Sequence, residues 1–208
     1  MGVSVLAQFP GPCTLRIIGI KDEVIDLEKK NGIPVFKYHP DPLATGSIIL
    51  TEYAVNCDCC GKETNAIYQG PCYGKKSPET ICPSCIADGT AQTVFGVCFQ
   101  DSASADNVSD KSKLAELVHR TPGYFGYQQE RWLAHCDDYC EYHGVVGYEE
   151  LIDLGIEGDI ADDIQLIAER FSTTPNELIR NLNVGGAYQG YLFRCLGCGK
   201  YRLHVDCL

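Results

Sequence analysis

The chain has 208 residues, 45% hydrophobic and 10% aromatic, with a net charge of −11. This composition excludes a disordered or fibrous chain and suits one good-sized domain or two small ones. Ten carboxylates and no Lys or Arg lie between Asp137 and Asp163, a surface that repels nucleic-acid phosphates and attracts basic proteins.

The opening MGVSVLAQFPGPC has no basic leader before its short apolar patch, and no later run is long and apolar enough to span a bilayer. A cytoplasmic protein with no membrane partner is therefore expected. TLRIIGI (14–20) reads as a strand and DEVIDLEKKNG (22–32) as a short helix ended by Asn31-Gly32. Residues 1–34 form an N-terminal extension to a main domain over 35–208. Pro34, Pro40 and Pro42 hold PVFKYHPDPLATG extended, since proline fixes its own torsion and disfavours helix in the residue before it. SIILTEYAV (47–55) and TNAIYQG (64–70) read as two strands with CDCCGK at the tip between them. Pro83 predicts a short helix through Ala87.

The stretch DSASADNVSDKS (101–112) reads as a linker between a first lobe over 35–100 and a second part over 113–208. Asp110 caps a predicted helix, KSKLAELVHR, with Leu114, Leu117 and Val118 on one face. The segment from Gln128 to Cys140 reads as a further helix. Ile160, Ile164, Ile167 and Phe171 recur at helical spacing in 159–171. Thr174-Pro175-Asn176-Glu177 combines a capping threonine, a proline in the first turn and a glutamate that closes a capping box. AYQGYLFRCLGCGKYRLHV ends the chain as two β-like arms around a cysteine turn.

Thirteen cysteines, an odd number, in a chain expected in reducing cytosol argue against a disulfide framework. The turn CxxCGK occurs twice, at Cys57/Cys60 and at Cys195/Cys198. Two thiolates on one tetrahedral zinc ion sit about 3.7 Å apart, because Zn–S bonds are about 2.3 Å long. A tight turn with two intervening residues supplies that separation, and glycine after the second cysteine permits the left-handed backbone that turns the chain back. Cys59 then points away. Each turn supplies half a site. Cys82 and Cys85 follow the first turn after 21 residues, within zinc-ribbon spacing. Cys136 and Cys140, four apart on the predicted helix, share a face and precede the second turn by 54 residues. The expected metal sites are therefore Cys57, Cys60, Cys82, Cys85 and Cys136, Cys140, Cys195, Cys198, with His135, His143 or His204 able to replace a cysteine in the second. All-sulfur tetrahedra favour zinc or iron–sulfur, and zinc in a structural role is expected. The fold class is α+β: two zinc-ribbon-like hairpin turns, each closed by a helical cysteine pair, with a helical segment between.

Other chemistry is sparse. Cys82-Pro83-Ser84-Cys85 has the spacing of a redox dithiol, but the CxxCGK nearby favours metal. Cys13, Cys72, Cys98 and Cys207 lack partners by spacing and read as buried small hydrophobes. His119, Arg120, Glu130 and His135 flank the aromatic residues Tyr124, Phe125, Tyr127 and Trp132, and an enzyme pocket built there is the alternative to a non-catalytic protein.

The segments FKYHPDPLATGS, ICPSCIADGTA, RTPGYFGYQQERWLAHCDDYC and FRCLGCGKYRLHVDC, with the first CxxCG turn, together resemble the CbrC family, a bacterial family associated with colicin tolerance. The likeness runs from about Val35 to Cys207. It implies paired cysteine motifs and no established catalytic activity. The expectation is a zinc-stabilised protein acting through protein contacts, with a basic toxin as one kind of partner for its acidic stretch.

Overall fold

The computed structural model describes residues 32–208. The strand expected over 14–20, the helix expected over 22–32 except Gly32, and Cys13 lie outside the described residues. The described chain is α+β, with three small antiparallel sheets.

Strands β1 (Ile48–Asn56) and β2 (Glu63–Tyr68) pair antiparallel, with Ile48 opposite Tyr68 and Asn56 opposite Glu63. The CDCCGK turn joins them, as the strand readings anticipate. Helix α1 (Pro83–Ala87) begins at Pro83, whose missing N–H costs nothing in a first turn, and α2 (Thr90–Phe95) follows. Ile48, Ile81, Ile86, Val97 and Phe99 fill the core of this first lobe.

The proline-rich strap crosses from one core to the next. Phe36 is buried in the first lobe, whereas Tyr38 enters an aromatic core with Tyr124, Trp132, Tyr142, Tyr191 and Phe193. Tyr124 and Tyr142 stack there with centroids 4.2 Å apart, and burial of each such ring contributes on the order of 2 kcal/mol. The 101–112 stretch is also tied down. Trp132 N–H donates to Ser104 O at 3.0 Å, and Asp106 N–H to Trp132 O at 2.9 Å. Helix α3 (Lys111–Arg120) then starts under the Asp110 carboxylate, which accepts Ser112 N–H at 2.8 Å.

From Gln128 to Cys140 the chain is not helical. A loop leads into the hairpin β3 (Ala134–His135) and β4 (Asp138–Tyr139), whose two-residue turn is Cys136-Asp137. Both turn residues have left-handed backbone, φ 53° and 56°, the pattern of a type I′ turn. Tertiary bonds take the groups a helix would need. Tyr124 hydroxyl accepts Arg131 N–H at 3.0 Å and donates to Arg131 O at 2.6 Å, while the Trp132 indole donates to Cys140 O at 2.8 Å.

The last sheet has the order β5 (Glu141–Val146), β6 (Tyr188–Arg194), β7 (Tyr201–Cys207). Between β5 and β6 run α4 (Tyr148–Asp153), α5 (Glu157–Arg170) and α6 (Pro175–Asn181). Ile160, Ile164 and Ile167 of α5 share a core with Leu192, Leu203 and Val205 of the sheet.

Candidate metal centres

The first CxxCGK turn and the start of α1 bring four sulfurs together. The Sγ atoms of Cys57, Cys60, Cys82 and Cys85 all lie within 4.8 Å of one another. Cys57 and Cys85 are 3.8 Å apart, Cys60 and Cys82 4.0 Å. These are close to the edge lengths of a thiolate tetrahedron around a zinc-sized ion. Gly61 has φ +70°, the left-handed conformation that returns the chain to β2. Cys82 N–H donates to Cys57 Sγ at 3.3 Å. Burial disfavours the Cys57 thiolate, yet amides from Cys82, Cys60 and Cys59 outweigh it and bring the thiol down to about 7. Burial pushes the Cys85 thiol up, with its neighbour sulfurs adding to the shift. A cation inside the group answers the crowding that holds such thiols protonated.

Cys59 is half-buried against the first core and belongs to no ligand group. Its thiol is pushed up to about 12, by burial first and by Cys57 next.

The second group differs from expectation in one member. His135, Cys136, Cys195 and Cys198 place their ligand atoms within 4.8 Å of one another. His135 Nδ1 lies 3.3 Å from both Cys136 Sγ and Cys198 Sγ. Gly199 repeats the left-handed turn at φ +75°. Gly197 N–H and Cys198 N–H point at Cys195 Sγ, at 3.3 and 3.5 Å. Burial opposes the Cys195 thiolate, but the Cys198 amide, His135 and the Gly197 amide bring its thiol to about 6.

Cys140 does not join this group. It is fully buried in the aromatic core, where burial, followed by the Cys195 charge, pushes its thiol up to about 12. The reason is the hairpin. Residues four apart share a face on a helix but not across a β-turn, so the turn presents His135 and Cys136 and sends Cys140 inward. Of the three histidines considered as replacements, His135 is the one in place. His143 contacts Glu141 at 3.0 Å and His204 contacts Asp206 at 3.1 Å.

The residues of the alternative pocket take separate partners. His119 Nδ1 is 3.7 Å from Cys98 Sγ, and Arg120 donates to Ala87 O at 2.8 Å. Only Glu130 of the four lines a cleft. The acidic run is largely engaged too: Asp137 accepts from Ser109, Asp138 pairs with Lys37 and Lys113, Glu141 with Arg194, and Asp163 with Arg202. Glu149 and Asp153 stand exposed on α4.

The two tetrads frame a chain whose residues 33–207 match the family described as "Uncharacterised protein family (UPF0167)". The chain belongs to this family. UPF0167 protein PA1536 of Pseudomonas aeruginosa is 37% identical over 183 residues, covering 84% of this chain and 97% of that relative. UPF0167 protein Mb2317 of Mycobacterium bovis is 38% identical over 177 residues, covering 84% and 93%; the UPF0167 protein MT2352 of Mycobacterium tuberculosis matches equally. No solved structure matches the chain. Among the described residues of this UPF0167 member, no helix is long and apolar enough to cross a membrane.

Proposed function

We propose that this UPF0167 protein is a cytoplasmic, non-catalytic protein held folded by two structural zinc ions and acting through contacts with other proteins. The observation that carries the metal reading is the pair of four-ligand groups, each with its donor atoms within 4.8 Å. A set of four cysteines and a set of three cysteines with one histidine both suit zinc, and four protein ligands leave no open position at which water could be activated. The resemblance to the CbrC family supplies the setting. We take that family and UPF0167 as one group, and toxin tolerance as the process served.

For partner binding the usable acidic surface is smaller than the sequence suggests, because so many carboxylates hold internal contacts. Glu149 and Asp153, both exposed on α4, remain as the handle for a basic protein. Long-range attraction of this kind acts mainly on the association rate and weakens with salt.

Elemental analysis of protein purified without added metal tests the first part, and two zinc atoms per chain are expected. Iron in their place, or a metal-free sample with an unchanged melting curve, overturns it. A basic toxin domain titrated onto wild type and onto a Glu149→Lys, Asp153→Lys variant tests the second. Salt-sensitive binding lost in the variant supports the partner reading, and binding indifferent to the reversal refutes it. Glu150 is left intact because it caps α4, accepting Gly147 N–H at 2.8 Å.

A further inference from the structure

The two tetrads differ in how much of each solvent can reach. In the first, Cys57, Cys82 and Cys85 are 1%, 7% and 2% exposed and pack with Ile48, Ile81 and Ile86, so that only Cys60 faces water. In the second, Cys195 is buried and His135 half-buried, while Cys136 and Cys198 are both exposed. The second group therefore offers two neighbouring sulfurs to a reagent in solution. Reactivity of a cysteine toward oxidants follows thiolate character and exposure, and is greatest in effect where a resolving cysteine stands beside it.

The exposed pair is also placed to close. Cys136 Sγ and Cys198 Sγ lie within 4.8 Å of each other, each 3.3 Å from His135 Nδ1. Gly197 lets the two turns meet, since a Cβ there would sit 3.2 Å from Cys136 Cβ. An S–S bond is about 2.0 Å long. Cys136 occupies the tip of the β3–β4 hairpin and Cys198 the CxxCGK turn before Gly199. The sulfurs can approach by side-chain rotation and small shifts of two surface turns, with the core left in place. Cys60 has no such partner, because Cys82 and Cys85 are packed at the start of α1 and Cys57 is buried with them. Cys140 is enclosed in the aromatic core and out of reach of a reagent in water.

We propose that the second centre is a peroxide-sensitive switch: Cys136 and Cys198 are oxidised to a disulfide and the zinc ion they hold is released, while the first centre keeps its metal. This rests on the metal reading above and adds a regulation to one of its two sites. One exposed thiolate attacks a peroxide oxygen, so that an S–O bond forms, the O–O bond breaks and hydroxide departs. The other thiolate then attacks that sulfur, forming the S–S bond and displacing a second hydroxide. Two protons from solvent convert both hydroxides to water. Two electrons pass from the sulfurs to hydrogen peroxide, and zinc stays divalent throughout. Cys195 and His135 remain as two protein ligands, too few for a structural zinc site.

The test treats the zinc-loaded full chain with hydrogen peroxide beside a chromogenic zinc indicator, and maps disulfides by mass spectrometry. One of two zinc atoms should be released, with a Cys136–Cys198 disulfide in the same sample and the first tetrad still reduced. Dithiothreitol with added zinc should return the count to two. Cys140→Ala should respond as wild type does. A count below two before peroxide is added refutes the metal reading itself. Two atoms at the start with none released, both released together, a disulfide joining any other pair, or a loss that reductant and zinc do not reverse refutes the switch alone.

Discussion

The Arg202 guanidinium on β7 grips the Asp163 carboxylate on α5, with Nε 2.9 Å from Oδ2 and Nη2 2.9 Å from Oδ1. The same carboxylate accepts Leu203 N–H at 2.9 Å, and Arg202 Nη1 reaches Ala134 O at 3.3 Å. One buried carboxylate of the acidic run thus fastens a helix to the sheet and the sheet to the β3–β4 hairpin. Removing one partner of such a pair leaves an uncompensated charge, which costs about 3–5 kcal/mol when both ions are buried. Here Arg202 keeps some solvent access, its side chain being 23% exposed. Asp163→Ala should therefore destabilise by about 2–3 kcal/mol, somewhat less than a fully buried pair would lose. Asp163→Asn, which keeps an acceptor for Leu203 N–H, should cost less. Urea midpoints of the two variants check the order, with Asp153→Ala expected within about 0.5 kcal/mol of wild type.

The second tetrad makes a sharper prediction because two neighbouring residues compete for one role. His135 Nδ1 sits against Cys136 and Cys198, whereas Cys140 faces the aromatic core. His135→Ala should lower the bound metal from two to one per chain. Cys140→Ala should retain both and lose about 1 kcal/mol from the small cavity. Cys60→Ser, in the other group, should also lower the count by one. Metal content after dialysis against a weak chelator reads all three, and a Cys140→Ala protein that comes out with one metal would exchange the two residues' roles.

How these groups were legible follows from how local each signal is. A two-residue spacing with a following glycine is a backbone instruction, so Cys57, Cys60, Cys195 and Cys198 can be read directly, and Pro83 marks the helix that carries Cys82 and Cys85. The fourth ligand of the second group is not local. Gln128 to Leu133 are good helix formers, but Trp132 bonds to Ser104 across the chain, and such tertiary contacts override propensity. The type I′ turn at Cys136-Asp137 lacks the usual glycine, which hid the hairpin. Strand β5 did leave a trace: Tyr142, Gly144 and Val146 face inward while Glu141, His143 and Val145 are less buried, a period of two. The acidic run shows the opposite limit, since charge can be counted in a sequence while its partners cannot.

The capping box of α6 was readable in full, and its energy is equally local. Thr174 Oγ1 accepts Glu177 N–H at 3.2 Å, and Glu177 accepts Thr174 N–H at 3.3 Å. Thr174→Ala should cost about 1 kcal/mol, and Thr174→Ser should restore most of it. A matched pair of thermal or urea melts decides this, and a cost below about 0.3 kcal/mol would mean that α6 is held by Leu178 alone and not by its cap.

His39 sets the expected acid response. It is fully buried, donates through Nδ1 to Pro122 O at 2.7 Å and accepts the Thr45 hydroxyl at Nε2, also at 2.7 Å. Burial drives its pKa from 6.5 down to about 4, against the opposing pull of the Pro122 carbonyl and Asp41. The unfolded chain therefore takes up a proton below pH 6.5 that the folded chain refuses until about pH 4. The stability at stake is fully present above the unfolded value and is lost as pH falls through this window. Linkage gives a loss of about 2 kcal/mol between about pH 7 and pH 5. Cysteine ligands also become protonated in acid and release metal, so the absolute curve mixes two effects. His39→Asn separates them: it should be less stable at about pH 7, yet its decline from there to about pH 5 should be shallower than that of wild type by about the same 2 kcal/mol. Parallel declines in the two proteins would show that His39 does not carry the acid sensitivity and would leave it to the metal ligands.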